Sequence, residues 1–306
     1  MNGQRRLAVT GAFGFTGRAI ARQLVHEGHE VLTLTRRVDH DDPLARSIDA
    51  VRLDFGRAGD VAVALEGVDT LFNTYWIRFP RGTESFERAI AETNVLLLAA
   101  SRAGVRRVVH VSVVGADHEA PTAYVRAKAV VEDAVKASGL EWSIVRPTLT
   151  FGPGDILVNN MAWALRRLPV YGMPGSGTYL IQPVHVDDVA RIGIELADSE
   201  AGRTVDAAGP DTMTFREMVE IVRAAVGSRS IVVPMPSWAV LAAGRAMGLL
   251  VGDVVLTRDE VLELTTSFLT SREAPLGRMD DTETGTWWSI RELGRDGHSV
   301  DWRRPR

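Results

Sequence analysis

The chain has no cysteine among its 306 residues, which excludes disulfide staples, thiolate catalysis and cysteine-held metals. Lysine is nearly missing as well: of 35 basic residues only Lys128 and Lys136 are lysine, and 33 are arginine. No uncharged apolar run reaches the ~18–20 residues that span a bilayer. The longest candidate, Trp238 to Val251, is interrupted by Arg245. A net charge of −4 with 24% charged residues gives no general attraction to nucleic acid or to an anionic membrane. No apolar leader precedes the first strand-like run, so the expected location is cytoplasmic. What remains is a globular composition, 45% apolar, enough for one large domain or two. The expected partners are a small-molecule substrate and at most one further copy of the chain (monomer or homodimer), with no metal.

The first half alternates short apolar runs with helix-length amphipathic stretches, the pattern of βαβ units around a parallel sheet. Strands are expected at Arg6–Thr10, Glu30–Thr35, Val51–Asp54, Thr70–Asn73, Arg107–Ser112 and Trp142–Val145. Helices are expected between them, Phe15–Glu27 first and the one carrying Tyr124 and Lys128 last. After Pro147 glycine and proline cluster, in Phe151-Gly152-Pro153-Gly154-Asp155 and from Pro169 to Gly177, and the chain is expected to leave the sheet. A helix opened by Asp187 and Asp188, and a strand around Thr204–Asp206, would return to it. The expected division is a nucleotide-binding domain over residues 1–155, completed by about 184–207, and a smaller, mainly helical substrate-capping region over 156–306. Thr214 is placed as a helix N-cap, and the end of the chain is polar with Trp287, Trp288 and Trp302.

Thr10-Gly11-Ala12-Phe13-Gly14-Phe15-Thr16-Gly17 lies between the first strand and the first helix. Gly11 permits the tight turn, Gly14 lets a pyrophosphate approach the backbone, and Gly17 lets the helix pack against the strand. The anion then meets the helix N-terminus, where backbone N–H groups converge. The second strand ends Thr35-Arg36-Arg37, with Asp39 as the nearest acid. A carboxylate there would accept from a ribose 2′-hydroxyl and repel a 2′-phosphate, whereas arginine binds the phosphate bidentately. NADP(H) is therefore expected over NAD(H). Asp54 is positioned to accept from an adenine amine, and Phe55, Asn73 and Pro147 complete the expected cofactor contacts.

Tyr124 and Lys128 are one helical turn apart, on one face, in a chain that otherwise avoids lysine. A compact ammonium reaches a phenol and a ribose as a point charge, which a planar guanidinium cannot. With Thr10-Gly11-x-x-Gly14-x-x-Gly17, Asp54, Thr93-Asn94-Val95, Val111-Ser112, Arg146-Pro147-Thr148 and Gln182-Pro183-Val184-His185, the chain resembles the short-chain dehydrogenase/reductase superfamily in its extended and atypical branches. It looks most like the subgroup of the accessory NAD(P)-binding subunit of respiratory complex I and NmrA-like proteins.

The resemblance implies a Rossmann doubly wound sheet and a set of roles. Tyr124 would be the general acid/base, Lys128 would lower its pKa and bond the nicotinamide ribose, Ser112 would hold the substrate oxygen, and Asn94 would support Lys128 through a water. Ser112 is followed by Val113-Val114-Gly115, without the acidic pair of the sugar-nucleotide dehydratases. Asn73-Thr74-Tyr75-Trp76 stands where extended members commonly carry a His-x-Ala turn, so sugar-nucleotide epimerase or dehydratase activity is not expected. Tyr75 and Trp76 on one wall, and Asn160 and Trp163 on the other, are the expected substrate contacts. Two functions fit: an NADP-dependent reductase or dehydrogenase of a small organic carbonyl or alcohol, and a cofactor-binding sensor or subunit without turnover.

Overall fold

The computed structural model describes residues 3–251, 256–266 and 268–277, so the expected tail tryptophans Trp287, Trp288 and Trp302 lie outside the described residues. Backbone contacts divide the chain into two compact units, residues 1–147 with 186–207 and residues 148–185 with 208–306.

The first unit holds β1 (Arg6–Thr10), α1 (Phe15–His26), β2 (Glu30–Thr35), β3 (Asp49–Arg52), α2 (Ala58–Ala64), β4 (Thr70–Asn73), α3 (Phe86–Arg102), β5 (Arg107–Val111), α4 (Ala123–Lys136), β6 (Glu141–Pro147), α6 (Val186–Asp198) and β11 (Arg203–Ala207). Its strands form one seven-stranded sheet in the order β11-β6-β5-β4-β1-β2-β3, parallel at every pair. This is the doubly wound Rossmann arrangement. The inner strands β4 and β5 are buried at every residue, because helices cover both faces of a parallel sheet and leave no solvent side for polar alternation. Ala8, Leu71, Val108 and Ile144 face a cluster with Val61 of α2, Leu96 and Leu97 of α3, and Val131 and Val135 of α4. On the other face α6 lies close enough that a methyl at Gly193 would touch Val145 and Val109. The buried Arg107 guanidinium donates to the carbonyls of Leu196, Ala197 and Ser199, satisfying the orphan acceptors at the C-terminal end of α6.

The chain order reverses between β1, which is joined to β2 on one side, and β4 on the other. Ligands of open parallel sheets bind beyond the strand C-termini at such a reversal. The glycine-rich turn after β1 and Asn73-Thr74-Tyr75-Trp76 at the end of β4 both emerge there. β3 ends at Arg52, two residues before the expected end at Asp54. The Asp54 carboxylate accepts from the Gly56 N–H at 2.9 Å, and this local turn competes with continued strand.

The second unit holds β7 (Leu149–Phe151), α5 (Leu157–Arg167), β8 (Val170–Pro174), β9 (Leu180–Ile181), β10 (Pro183–His185), β12 (Met213–Thr214), α7 (Phe215–Ala225), β13 (Ile231–Met235), α8 (Ser237–Val251) and α9 (Arg258–Thr265). Val158, Met161, Ala162 and Leu165 of α5 pack with Phe215, Met218, Val219 and Val222 of α7 around Met173 and Ile181. Thr214 and Glu217 cap α7 reciprocally, as the sequence indicates for Thr214. The three short two-stranded pairs β10–β7, β12–β9 and β13–β8 were not expected in a mainly helical region. Segments this short carry no readable alternation, and proline within β8 and β13 argues against strand by composition. Gln182 ties this unit together, donating to Gly209 O at 2.8 Å and accepting from the Ser271 N–H at 3.0 Å.

Candidate functional site

The glycine-rich turn is built around an arrangement only glycine tolerates. Gly11 has φ of +66°. A Cβ on Gly17 would lie 2.4 Å from the Gly11 carbonyl oxygen, so α1 closes on the turn only because that position is bare. Gly14 N-caps α1 without any side-chain cap, and no acidic residue stands in the first turn. The N-terminus of α1 is thus left without a side-chain cap or a neighbouring acid in its first turn, and its dipole favours an anion there. Phe13, Phe15 and Thr16 are half-buried around it. The site fits a dinucleotide pyrophosphate.

The end of β4 is wired to this turn. The Thr74 hydroxyl donates to Thr10 O at 2.5 Å and the Thr74 N–H donates to the Thr10 hydroxyl at 2.8 Å. Asn73 is buried, its side-chain oxygen accepting from the Tyr75 N–H at 3.1 Å and its amide meeting His110 Nδ1 at 3.2 Å. The Asn73 side chain therefore holds the turn, and any cofactor contact from this residue falls to its backbone.

Beyond Asn73 the two aromatics part. Tyr75 packs against Phe55, ring centres 5.0 Å apart, with the Arg36 guanidinium 5.9 Å from its ring centre and its hydroxyl bonded to Glu92. Burial, then Glu92, push the Tyr75 phenol above its ordinary range. Tyr75 thus stands with Arg36 and Phe55, residues assigned above to the cofactor. Trp76 stacks on Phe86 at 5.9 Å, meets the Tyr124 ring edge-on at 6.2 Å, and carries the Lys128 ammonium 4.6 Å from its ring centre. Thr122 caps α4 by accepting from the Val125 N–H, which sets Tyr124 in the first turn and Lys128 one turn on.

Lys128 is buried, and its Nζ donates to Val111 O at 2.9 Å, the carbonyl preceding Ser112. Ser112 is buried at the end of β5 with its hydroxyl unpartnered. Tyr124, Lys128 and Trp76 are thereby gathered, with Lys128 bonded to the carbonyl that precedes Ser112. Asn94 is not: the apolar register of α3 (Ala89, Thr93, Leu96, Leu97 and Ala100 inward) turns it to solvent, away from buried Lys128. The expected water link from Asn94 has no counterpart in this arrangement.

Desolvation drives the electrostatics. Burial pushes the Lys128 ammonium down to about 7, against the opposing pull of Glu132. Glu132, one further turn along α4, is buried and doubly bonded by Arg146 at 2.8 and 2.6 Å. Arg146 is accordingly a structural partner of α4. Burial, then the Lys128 charge, holds His110 well below the ordinary imidazole range. Sequence reasoning passed over His110, Glu132 and Glu92. Their one signal is spacing, His110 two residues before Ser112 and Glu132 four after Lys128. The Pro147 carbonyl accepts from the Val114 N–H at 2.9 Å, fixing the loop after Ser112. Arg36 and Arg37 are exposed beyond β2, and Arg36 pairs with Glu84 at 2.6 Å. In the second unit Asn160 has a buried, unpartnered side-chain oxygen, and Arg167 lies over the Trp163 ring at 5.2 Å.

A model of the NAD(P)H-binding family matches residues 11–156. The match spans the glycine-rich turn and the strands and helices that follow it through β7. In keeping with the expected resemblance to the extended short-chain dehydrogenases/reductases, the relatives include a ceramide reductase and the structural neighbours include nucleotide-sugar epimerases. A mitochondrial NADH dehydrogenase [ubiquinone] 1 alpha subcomplex subunit 9 of Arabidopsis thaliana is 29% identical over 287 residues, covering 87% of this chain and 71% of that protein. Ceramide reductase of Caulobacter vibrioides is 27% identical, covering 78% of this chain and 76% of the other. An uncharacterized Mycobacterium tuberculosis protein is 31% identical over 76% of this chain, which spans only 24% of that protein's length.

Among solved structures, Citrobacter sp. triphenylmethane reductase complexed with NADP(H) superposes with a TM-score of 0.75 at 16% identity, covering 94% of this chain and 99% of the other. UDP-glucuronic acid 4-epimerase from Bacillus cereus in complex with NAD gives 0.65 at 16% identity, covering 76% and 87%. These likenesses establish the fold. The relatives of this chain thus include proteins named as reductases. No helix among the described residues is long and apolar enough to cross a membrane.

Proposed function

We propose that the protein is an NADP-dependent reductase or dehydrogenase of a small organic carbonyl or alcohol, working through Ser112, Tyr124 and Lys128. One observation supports this reading: Lys128 and Tyr124 both meet the Trp76 ring, and Lys128 is bonded to the carbonyl of Val111, the residue before Ser112. A nicotinamide, when bound, supplies or accepts the hydride. In the reductive direction the unpartnered Ser112 hydroxyl donates to the substrate oxygen, and Tyr124 gives that oxygen its proton as the carbonyl becomes an alcohol. A free phenol titrates near ~10, too high for the reverse step at neutral pH, and a protonated Lys128 one turn away lowers it. Trp76 and Phe86 pack against the Tyr124 ring, and Lys128 is buried beside Trp76, where a charge interaction is stronger than in water.

Arg36 and Arg37, with no carboxylate at the end of β2, support NADP(H) over NAD(H). The residues assigned to substrate belong to the same proposal, as does a cytoplasmic location. The reading is tested by NADPH oxidation against a carbonyl panel, with nucleotide carried by the purified protein identified by mass spectrometry. A second reading, cofactor binding without turnover, is favoured by the relative named as a respiratory-complex subunit. Absence of turnover on every carbonyl, with NADPH still bound, would decide for it.

A further inference from the structure

The residue assigned above to a 2′-phosphate is already occupied by an internal anion. The Arg36 guanidinium, just past the end of β2, donates to the Glu84 carboxylate at 2.6 Å and lies over the Tyr75 ring. Glu84 is held in place by its own backbone: Arg81 and Glu84 exchange N–H···O bonds of 3.0 and 2.9 Å, closed by Gly82 at φ +59°. It immediately precedes Ser85, the N-cap of α3, whose hydroxyl accepts from the Arg88 N–H. The carboxylate thus sits on a fixed loop, at a helix N-terminus that favours negative charge, and is not an incidental surface partner.

We propose that Glu84 is a cofactor-specificity residue that opposes Arg36. The inference rests on the reading of Arg36 as a phosphate ligand. A doubly charged phosphate approaching Arg36 must displace Glu84 and remain near it, two anions sharing one guanidinium. A ribose that carries only a 2′-hydroxyl meets no such repulsion, and that hydroxyl can donate a hydrogen bond to the same carboxylate. Glu84 therefore supplies, from the loop after β4, the acid that β2 lacks, and it narrows the preference for NADP(H) that Arg36 and Arg37 create. The pair makes the site tolerant of both dinucleotides.

The test is calorimetric titration of NADPH and NADH into the unmodified protein, Glu84→Gln, Arg36→Ala and the double variant. Glutamine keeps the Arg81 backbone bridge and the α3 cap, so the fold is retained. The ratio of NADH to NADPH dissociation constants should rise about five- to tenfold in Glu84→Gln, the scale of one unscreened close charge pair at a protein surface. In the double variant the rise over Arg36→Ala should be smaller than the rise in Glu84→Gln alone, because the competition for Arg36 is gone and only the direct effect of the carboxylate remains. An unchanged ratio in Glu84→Gln, or an equal rise without Arg36, overturns the proposal. Equal affinities in the unmodified protein would instead count against the NADP preference alone, since removing Glu84 should still raise the ratio.

Discussion

Lys128 lies with its ammonium 4.6 Å from the centre of the Trp76 ring and its Nζ bonded to the carbonyl of Val111. A cation over an indole face gains attraction from the ring quadrupole, ~2 kcal/mol where desolvated. Burial works the other way and brings the lysine's pKa down to about 7. At neutral pH the residue is poised between charged and neutral forms, so small changes around it alter the charge that Tyr124 feels.

That balance predicts a pH dependence of stability. Lys128 titrates near about 7 when folded and near its ordinary 10.5 when unfolded. Between these values the unfolded chain holds a proton the folded chain has released, so stability rises with pH across the window. Below about 7 both states are protonated and the full cost of the buried charge remains. Lys128→Met should therefore be more stable than the unmodified protein at pH 6, with the difference shrinking toward pH 10. Urea unfolding of both proteins across this range measures it; a constant difference would contradict it.

Gly17→Ala should abolish dinucleotide binding or unfold the turn, because its Cβ would stand 2.4 Å from the Gly11 carbonyl oxygen and its three nearest atoms are all backbone. Gly28→Ala is the control, since the left-handed φ of +84° makes it costly while nothing lies within 4 Å of its Cβ. It should cost roughly 1–2 kcal/mol of stability and leave NADPH affinity unchanged. Equal loss of binding in both variants would assign the effect to general destabilisation.

Replacing both Arg36 and Arg37 with alanine should remove the preference for NADPH. In the unmodified protein that preference should be about tenfold or more in dissociation constant, or about 1.4 kcal/mol. Equal calorimetric affinities for NADPH and NADH before substitution would refute it.

The parts of this architecture set by local chemistry were readable in the sequence. β1, β2 and β4 begin and end where their apolar runs do, and glycine marks the phosphate turn. Tyr124 and Lys128 fall on one face because helical spacing puts them there. The rest depends on contacts far apart in the chain. Arg36 and Glu84 are 48 residues apart, and no spacing rule pairs them. Asn94 was expected to support Lys128 through a water, whereas it is exposed and the buried position of α3 is Thr93. Tyr75 and Trp76 were read together as substrate contacts, whereas the exit from β4 sends Tyr75 toward Arg36 and Trp76 toward Lys128. The short strands of the second unit are fixed by pairing, which a run of two or three residues does not announce.

The central claim is proton transfer by Tyr124. Tyr124→Phe keeps the ring that meets Trp76 and Phe86 and removes only the hydroxyl. With a carbonyl substrate found by screening, its kcat should fall by ~10²–10⁴ while the calorimetric dissociation constant for NADPH stays unchanged. Full activity of Tyr124→Phe on that substrate would contradict the account.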